Sequence, residues 1–250
     1  IAPYTYAYRA AWFDGKRGLW TETPAEPGEF WTGNAKKILR VYCPTNPADY
    51  FSAVDLAVNQ GAVVVSNRSD VVIEDLRLTR TGYSHNRLHP RGAIVIHSES
   101  SNVTVRNCWI DDVECGVAIW GGSHHITVES NRIAHIRWQS FGSYTNDGKG
   151  IGMAGDYSVC RGNTIEGILT IYNGTVTTNG NGIVARINDI TDNDGFHEGE
   201  ISGNDVGHVA WYGINISDYD DDFIGSYACN AQIFGNHVHD GRRIGGIDTD

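Results

Sequence analysis

Six residues have side chains suited to proton transfer or charge neutralisation and fall in the middle and later parts of the chain: Asp112, Glu114, His135, Asp147, Lys149 and His208. Two carboxyls held about 5–10 Å apart can flank a glycosidic bond and hydrolyse it. Asp112 or Glu114 opposite Asp147 would meet that requirement. A base beside a cation suits another reaction, removal of the proton next to a carboxylate, and His135 or His208 with Lys149 would serve. Arg91, Arg137, Trp138, Tyr144, Trp211, Tyr212 and Arg242 accompany them. Flat aromatic faces can stack on rings, and guanidinium groups pair with carboxylates. Together the residues read as a groove that binds a polysaccharide and cleaves it. The rival reading is a non-catalytic module that binds glycan or builds a spike or fibre.

A separate acidic group, Asp218, Asp220, Asp221 and Asp222, lies towards the C-terminus, with Asp156, Asp189, Asp192 and Asp194 at comparable turns before it. Clustered carboxylates repel one another unless a cation neutralises them, and Ca²⁺, which prefers oxygen ligands, is the natural ion. The plainer alternative is a solvated edge of Asx turns.

These side chains need a scaffold, and the sequence names it through a repeat. Asn131, Asn163, Asn204 and Asn236 each stand two residues before a branched aliphatic, at separations of 32, 41 and 32 residues. Leu76 and Cys108 hold the same place in two earlier copies. Around each copy run short stretches of period-2 alternation: Ile94-Val-Ile96, Val117-Ala-Ile119 and Ile183-Val-Ala185 early in a repeat, then Val103-Thr-Val105, Ile126-Thr-Val128 and Ala231-Gln-Ile233. A third short strand ends at Leu78, Ile110, Ile133, Ile165, Val206 or Val238. Alternation of this kind is that of strands, and a period of roughly 30–40 residues is that of a solenoid coil. Stacked coils would pair equivalent strands about 4.8 Å apart and bring the Asn side chains into a hydrogen-bonded column.

The unit Gly116-Val-Ala-Ile119 … His125-Ile-Thr-Val-Glu-Ser-Asn131-Arg-Ile133 resembles the right-handed parallel β-helix of the pectin-lyase-like superfamily, and the pattern runs through residues 61–250. The resemblance implies an all-β, right-handed parallel β-helix of about six to seven coils, three strands each. It also implies a carbohydrate-active or adhesive protein, extracellular or at the cell surface, with its groove beside the first strand of each coil. Asn146-Asp147-Gly148 is similar in part to the Asn-Thr-Asp element of polygalacturonase-like hydrolases; their Gly-His-Gly and Arg-x-Lys elements have no counterpart.

Residues 1–60 do not repeat and are rich in aromatics (Trp12, Trp20, Phe30 and Trp31 among them), as befits a cap over the open end of a solenoid. Opening at Ile1 without an initiator Met, the chain reads as processed or truncated, and Gly246–Asp250 as the start of a further coil. Inserted loops are expected at Thr81–Arg91, Arg137–Lys149 and Gly167–Asn181. Of the formal charge of −11, the whole excess falls in residues 162–250, where three Lys or Arg face fourteen Asp or Glu. Residues 77–161, with nine against seven, are mildly basic and would accept a polyanion. No basic stripe persists along the chain, which argues against nucleic acid, and no apolar run approaches the roughly 18 residues of a membrane span. Among the five cysteines, Cys108 and Cys160 alternate with apolar residues as core thiols do.

Overall fold

Short β-branched stretches separated by Asn, Asp and Gly turns wind into coils in the computed structural model, which describes residues 11–20, 23–33, 38–56, 61–81, 92–120, 122–140, 148–172, 175–176, 180–186, 195–217, 230–241 and 247–248. The first strands of six successive coils are Val63–Ser66, Ile94–His97, Val117–Ile119, Lys149–Met153, Asn181–Arg186 and Ile214–Ser217. With Ile247–Asp248 they stack in chain order as a seven-stranded parallel sheet. The second strands are Val72–Glu74, Thr104–Arg106, Thr127–Glu129, Val159–Arg161, Glu200–Ser202 and Gln232–Phe234; the third are Arg77–Thr79, Trp109–Asp111, Arg132–Ala134, Thr164–Tyr172, Asp205–Val209 and His237–His239. Each set forms its own parallel ladder of six. The chain is therefore a parallel β-helix with three sheets around one core.

Alternation puts one residue in two inside. Ile94, Ile96, Ile110, Ile119, Ile126, Ile133, Ile151, Ile165 and Ile183 are all at most 1 % exposed. Each second strand begins one residue later than its apolar alternation suggests. Val103 and Ile126 already point into the core, but they follow Asn102 and His125, which turn with φ of 51° and 56°, and the ladder starts only beyond them.

Two columns fix the register. Asn131, Asn163 and Asn204 are buried. Each receives through Oδ1 the backbone N–H of the residue one coil before: Cys108 into Asn131 at 2.9 Å, Asn131 into Asn163 at 3.0 Å and Asn163 into Asn204 at 3.0 Å. Each Nδ2 donates to a backbone carbonyl and to the next Asn, as Asn163 does to Val128 at 2.9 Å and to Asn204 at 3.0 Å. The second column is glycine, at the entrance to each first strand. A Cβ on Gly116 would lie 2.2 Å from the carbonyl oxygen of Gly150, one on Gly150 2.6 Å from that of Gly182, and one on Gly182 2.4 Å from that of Gly213. Backbones here approach too closely for any side chain.

On the outer face of the second-strand sheet, Glu74, Arg106, Glu129 and Arg161 stand in register as a ladder of alternating sign. Arg106 meets Glu74 at 2.6 Å and Arg161 meets Glu129 at 2.7 Å.

One expectation changes. The segments Arg137–Lys149 and Gly167–Asn181 were expected as loops, yet both are partly strand. Arg137–Ser140 pairs in parallel with the extension of Thr164–Tyr172, Leu169 opposite Arg137 and Tyr172 opposite Ser140, and Thr175–Val176 folds back on it. The run Ile168-Leu-Thr-Ile-Tyr172, rich in β-branched and aromatic residues, favours this extension.

Ahead of the coils, Ala11–Phe13 pairs with Lys16–Arg17 and Val54–Leu56, and Leu19–Trp20, Glu29–Gly33 and Ile38–Val41 form a second small sheet. Phe13 packs its ring 6.1 Å from Phe30 and 4.8 Å from Phe51.

Cys108, Cys115 and Cys160 are buried free thiols, and Cys43 is a half-buried one. Burial pushes the Cys115 thiol up to about 11 and that of Cys160 to about 12. Neither forms a thiolate near neutrality, and thiolate is the reactive species. In native protein at pH 8, iodoacetamide is expected to leave both unlabelled, and after unfolding to label both; peptide mass spectrometry reads the difference.

Candidate functional site

The corner where each third strand turns towards the next first strand gathers most of the described candidate residues. At one ladder position in each coil the backbone adopts a left-handed conformation, just past the third strand at Arg80, Asp112, His135 and Asp240 and within the longer third strands at Gly167 and His208, with φ between 50° and 68°. Ladder register makes these six positions a column, one per coil. Three of the chemically suited residues, Asp112, His135 and His208, therefore share one line along the corner. With coils about 4.8 Å apart, His135 and His208 stand about 10 Å from each other, with Gly167 between them.

Within this column Asp112 and His135 have different company. His135 is exposed, and its Nδ1 lies 2.7 Å from Oδ1 of Asp111 in the preceding coil. The carboxylate accepts the Nδ1–H bond, which leaves the Nε2 lone pair directed elsewhere. Beside this pair, Trp109 is held between Arg77 and Arg132, whose guanidinium carbons lie 4.5 Å and 5.6 Å from its ring centre. Arg132 also reaches Glu166 at 3.3 Å.

Asp112 and Glu114 are engaged by the N-terminal strands. Trp12 donates its indole N–H to Asp112 Oδ2 at 2.6 Å. Arg17, 3 % exposed, places Nη2 3.0 Å from Glu114 and 2.9 Å from the Arg137 carbonyl oxygen, and Nη1 3.6 Å from Asp112. These two carboxylates tie the N-terminal strands to the second and third coils. Nothing periodic links Trp12 and Arg17 to residues some hundred positions away, and the sequence carries no signal for the contact.

Lys149 opens the first strand of the fourth coil, in register with Asn181. Its charge draws the Cys115 thiol downward, against the larger upward effect of burial. One coil further, Asn181 Oδ1 accepts the backbone N–H of Tyr212 at 3.4 Å. Trp211 and Tyr212 stack, ring centres 4.9 Å apart and 25° from parallel, both half-buried. Lys149 and this aromatic pair thus lie on the same corner as His135 and His208. Trp138 sits in the strand Arg137–Ser140; its side chain, like Arg91, Tyr144, Asp147, Arg242 and the acidic group Asp218, Asp220, Asp221 and Asp222, lies outside the described residues.

Two features were missed from sequence. On the opposite corner, between first and second strands, a cavity of about 290 Å³ is lined by Ser123, His124, His125, Asp156 and Tyr157 with Gly122, Gly155 and Gly195. At the C-terminal end of the third-strand sheet, Asp205, His237 and His239 converge, with Asp240 and His208 beside them. The hydrogen bond that His239 donates to Asp240 raises the imidazole above its usual range, and the same bond holds Asp240 below the usual carboxylate range. A signal for this cluster did exist. His237-Val-His239 alternates as a strand does, and the Asn204-to-Asn236 step sets Asp205 opposite His237.

Fold and corner together define a class, the right-handed parallel β-helix. The family model described as "Right handed beta helix region" matches residues 50–133, which take in the first three coils, and the same ladders continue to Ile247–Asp248. Among curated proteins no match is found.

Proposed function

We propose that the protein cleaves a polysaccharide bound along the corner between its third and first strands, in the manner of carbohydrate-active members of the pectin-lyase-like superfamily, at or outside the cell surface. The observation that carries this reading is the Asp111–His135 pair, an exposed imidazole oriented by a carboxylate. Of the two chemistries, β-elimination has the better support, because Asp112 and Glu114 are already bound to Trp12 and Arg17. In that reaction Nε2 of His135 takes the proton from the carbon next to a uronate carboxylate. The electron pair forms a carbon–carbon double bond as the glycosidic C–O bond on the neighbouring carbon breaks; water protonates the leaving oxygen, and the imidazolium of His135 returns its proton to the resulting hydroxide. Lys149 would offset the charge that develops on the carboxylate, and Trp211 with Tyr212 would support a sugar ring.

A screen over neutral and uronic polysaccharides, reading reducing ends and the absorbance of unsaturated products separately, tests this. Unsaturated product is expected from a uronic polymer, with His135→Ala slowing its release by about 100-fold or more. Failure to generate either product by correctly folded protein would remove the enzyme reading. The stacked Trp211–Tyr212 pair favours a second one, a glycan-binding module, which would show retention on a polysaccharide column with no product.

A further inference from the structure

We propose that Asp205, His237 and His239 bind a divalent transition-metal ion of the imidazole-preferring kind, zinc foremost. The three side chains rise from two neighbouring third strands. Asp205 faces His237 across the ladder, and Gly207 faces His239. Strand alternation sends both histidines to the outer face, beside Asp205. The His237 Nδ1 lies 2.9 Å and the His239 Nε2 3.3 Å from the same oxygen, Asp205 Oδ1, and the three ligand atoms all fall within 4.8 Å of one another. Nitrogen and oxygen ligands at zinc's usual bond lengths of about 2.0–2.1 Å stand about 3.3 Å apart around a tetrahedral ion. The two imidazole–carboxylate separations, 2.9 Å and 3.3 Å, are already close to that spacing.

Two independent features mark the cluster as more than adjacent polar groups. The first is the partner of the second imidazole nitrogen: His239 Nδ1 is 2.8 Å from Asp240 Oδ2. A carboxylate accepting from Nδ1–H fixes the tautomer that offers Nε2 to a metal and raises its basicity, as in carboxylate–histidine–metal triads. The second is Gly207. A Cβ there would lie 2.3 Å from Cε1 and 2.6 Å from Nε2 of His239, so the imidazole occupies the space that any other residue would fill. The two histidine rings also stack, 4.7 Å apart and 25° from parallel. Hard cations prefer all-oxygen shells, so this donor set selects against Ca²⁺ and Mg²⁺. Three protein ligands leave a fourth position for water.

The 250-residue chain, stripped with chelator, is to be titrated calorimetrically with Zn²⁺ and Ca²⁺ and spectroscopically with Co²⁺. One equivalent of Zn²⁺ is expected to bind and raise the melting temperature, Co²⁺ to develop visible absorption bands, and Ca²⁺ to leave both readouts unchanged. His237→Ala and His239→Ala should each abolish the Co²⁺ bands. Asp240→Asn should keep the stoichiometry and weaken affinity about 10–100-fold, as loss of an outer-shell carboxylate does. A double His124→Ala, His125→Ala variant should bind as the wild type. His237 is 74 % exposed, so its variant is expected to fold even if that of His239 does not. Absence of Zn²⁺ binding by the wild type would overturn the assignment. So would wild-type affinity in folded His237→Ala, or loss of binding only in the His124/His125 variant.

Discussion

Asn163→Ala is expected to lower the free energy of unfolding by about 4 kcal/mol, among the larger effects a single substitution can have. The size follows from what the side chain leaves behind. Its Oδ1 receives the Asn131 backbone N–H and Nδ2, and its own Nδ2 donates to the Val128 carbonyl and to Asn204. Alanine satisfies none of these groups, and at 1 % exposure water cannot replace the amide. An unsatisfied buried donor or acceptor costs roughly 1–3 kcal/mol. Asn236, half-buried at the far end of the same column, donates to the Ile201 carbonyl and accepts from Asn204. Its alanine variant should cost clearly less, because water can reach part of the gap. Urea unfolding midpoints of the two variants measure the contrast, and equal losses would show that the column does not act through buried hydrogen bonds.

Gly116→Ala is the second large effect, at about 3 kcal/mol or more. The added methyl would meet the Gly150 carbonyl oxygen at 2.2 Å and Ile133 Cγ2 at 3.0 Å. A carbonyl fixed in a parallel ladder cannot rotate away as a flexible side chain can, so neighbouring coils must separate locally. Gly152→Ala supplies the control. That glycine lies in the same sheet, but its added Cβ would find nothing nearer than 3.7 Å. Strand glycines cost roughly 0.5–1 kcal/mol relative to alanine, and here the substitution should be neutral or slightly stabilising. Thermal melts of the pair separate close backbone approach from any general intolerance of substitution in the sheet.

What the sequence revealed and what it hid both follow from the repeat. Stacking ties residue to residue at a fixed interval, so the Asn column, the opening glycines and the inward isoleucines of every coil could be read from spacing alone. Strand edges were placed one residue early in the second sheet because apolar periodicity reports the core, and the core begins inside the turn. Residues that do not repeat escaped. The hold of Trp12 and Arg17 on Asp112 and Glu114 joins irregular chain to solenoid, and no interval encodes it. His237 and His239 were the avoidable miss, since the Asn column already supplied the register that aligns Asp205 with them. The corner itself was legible as a place, because the coils vary in length there while Val113, Ile136, Ile168 and Val209 keep the core continuous beneath it. Which of its residues lie together depended on the left-handed turns and on the pairing of His135 with Asp111.

The alternating ladder of Glu74, Arg106, Glu129 and Arg161 sets a parity rule on how this chain can change length. The asparagine column is indifferent to the number of coils, because each Asn accepts a backbone N–H from the coil before it whatever that residue's side chain, as Asn131 does from Cys108. The charged column is not indifferent. Losing the coil that carries Arg106 would seat Glu74 against Glu129, and losing the one that carries Glu129 would seat Arg106 against Arg161. Losing both together returns Glu74 to an arginine. Over this part of the solenoid, length is inherited most easily two coils at a time.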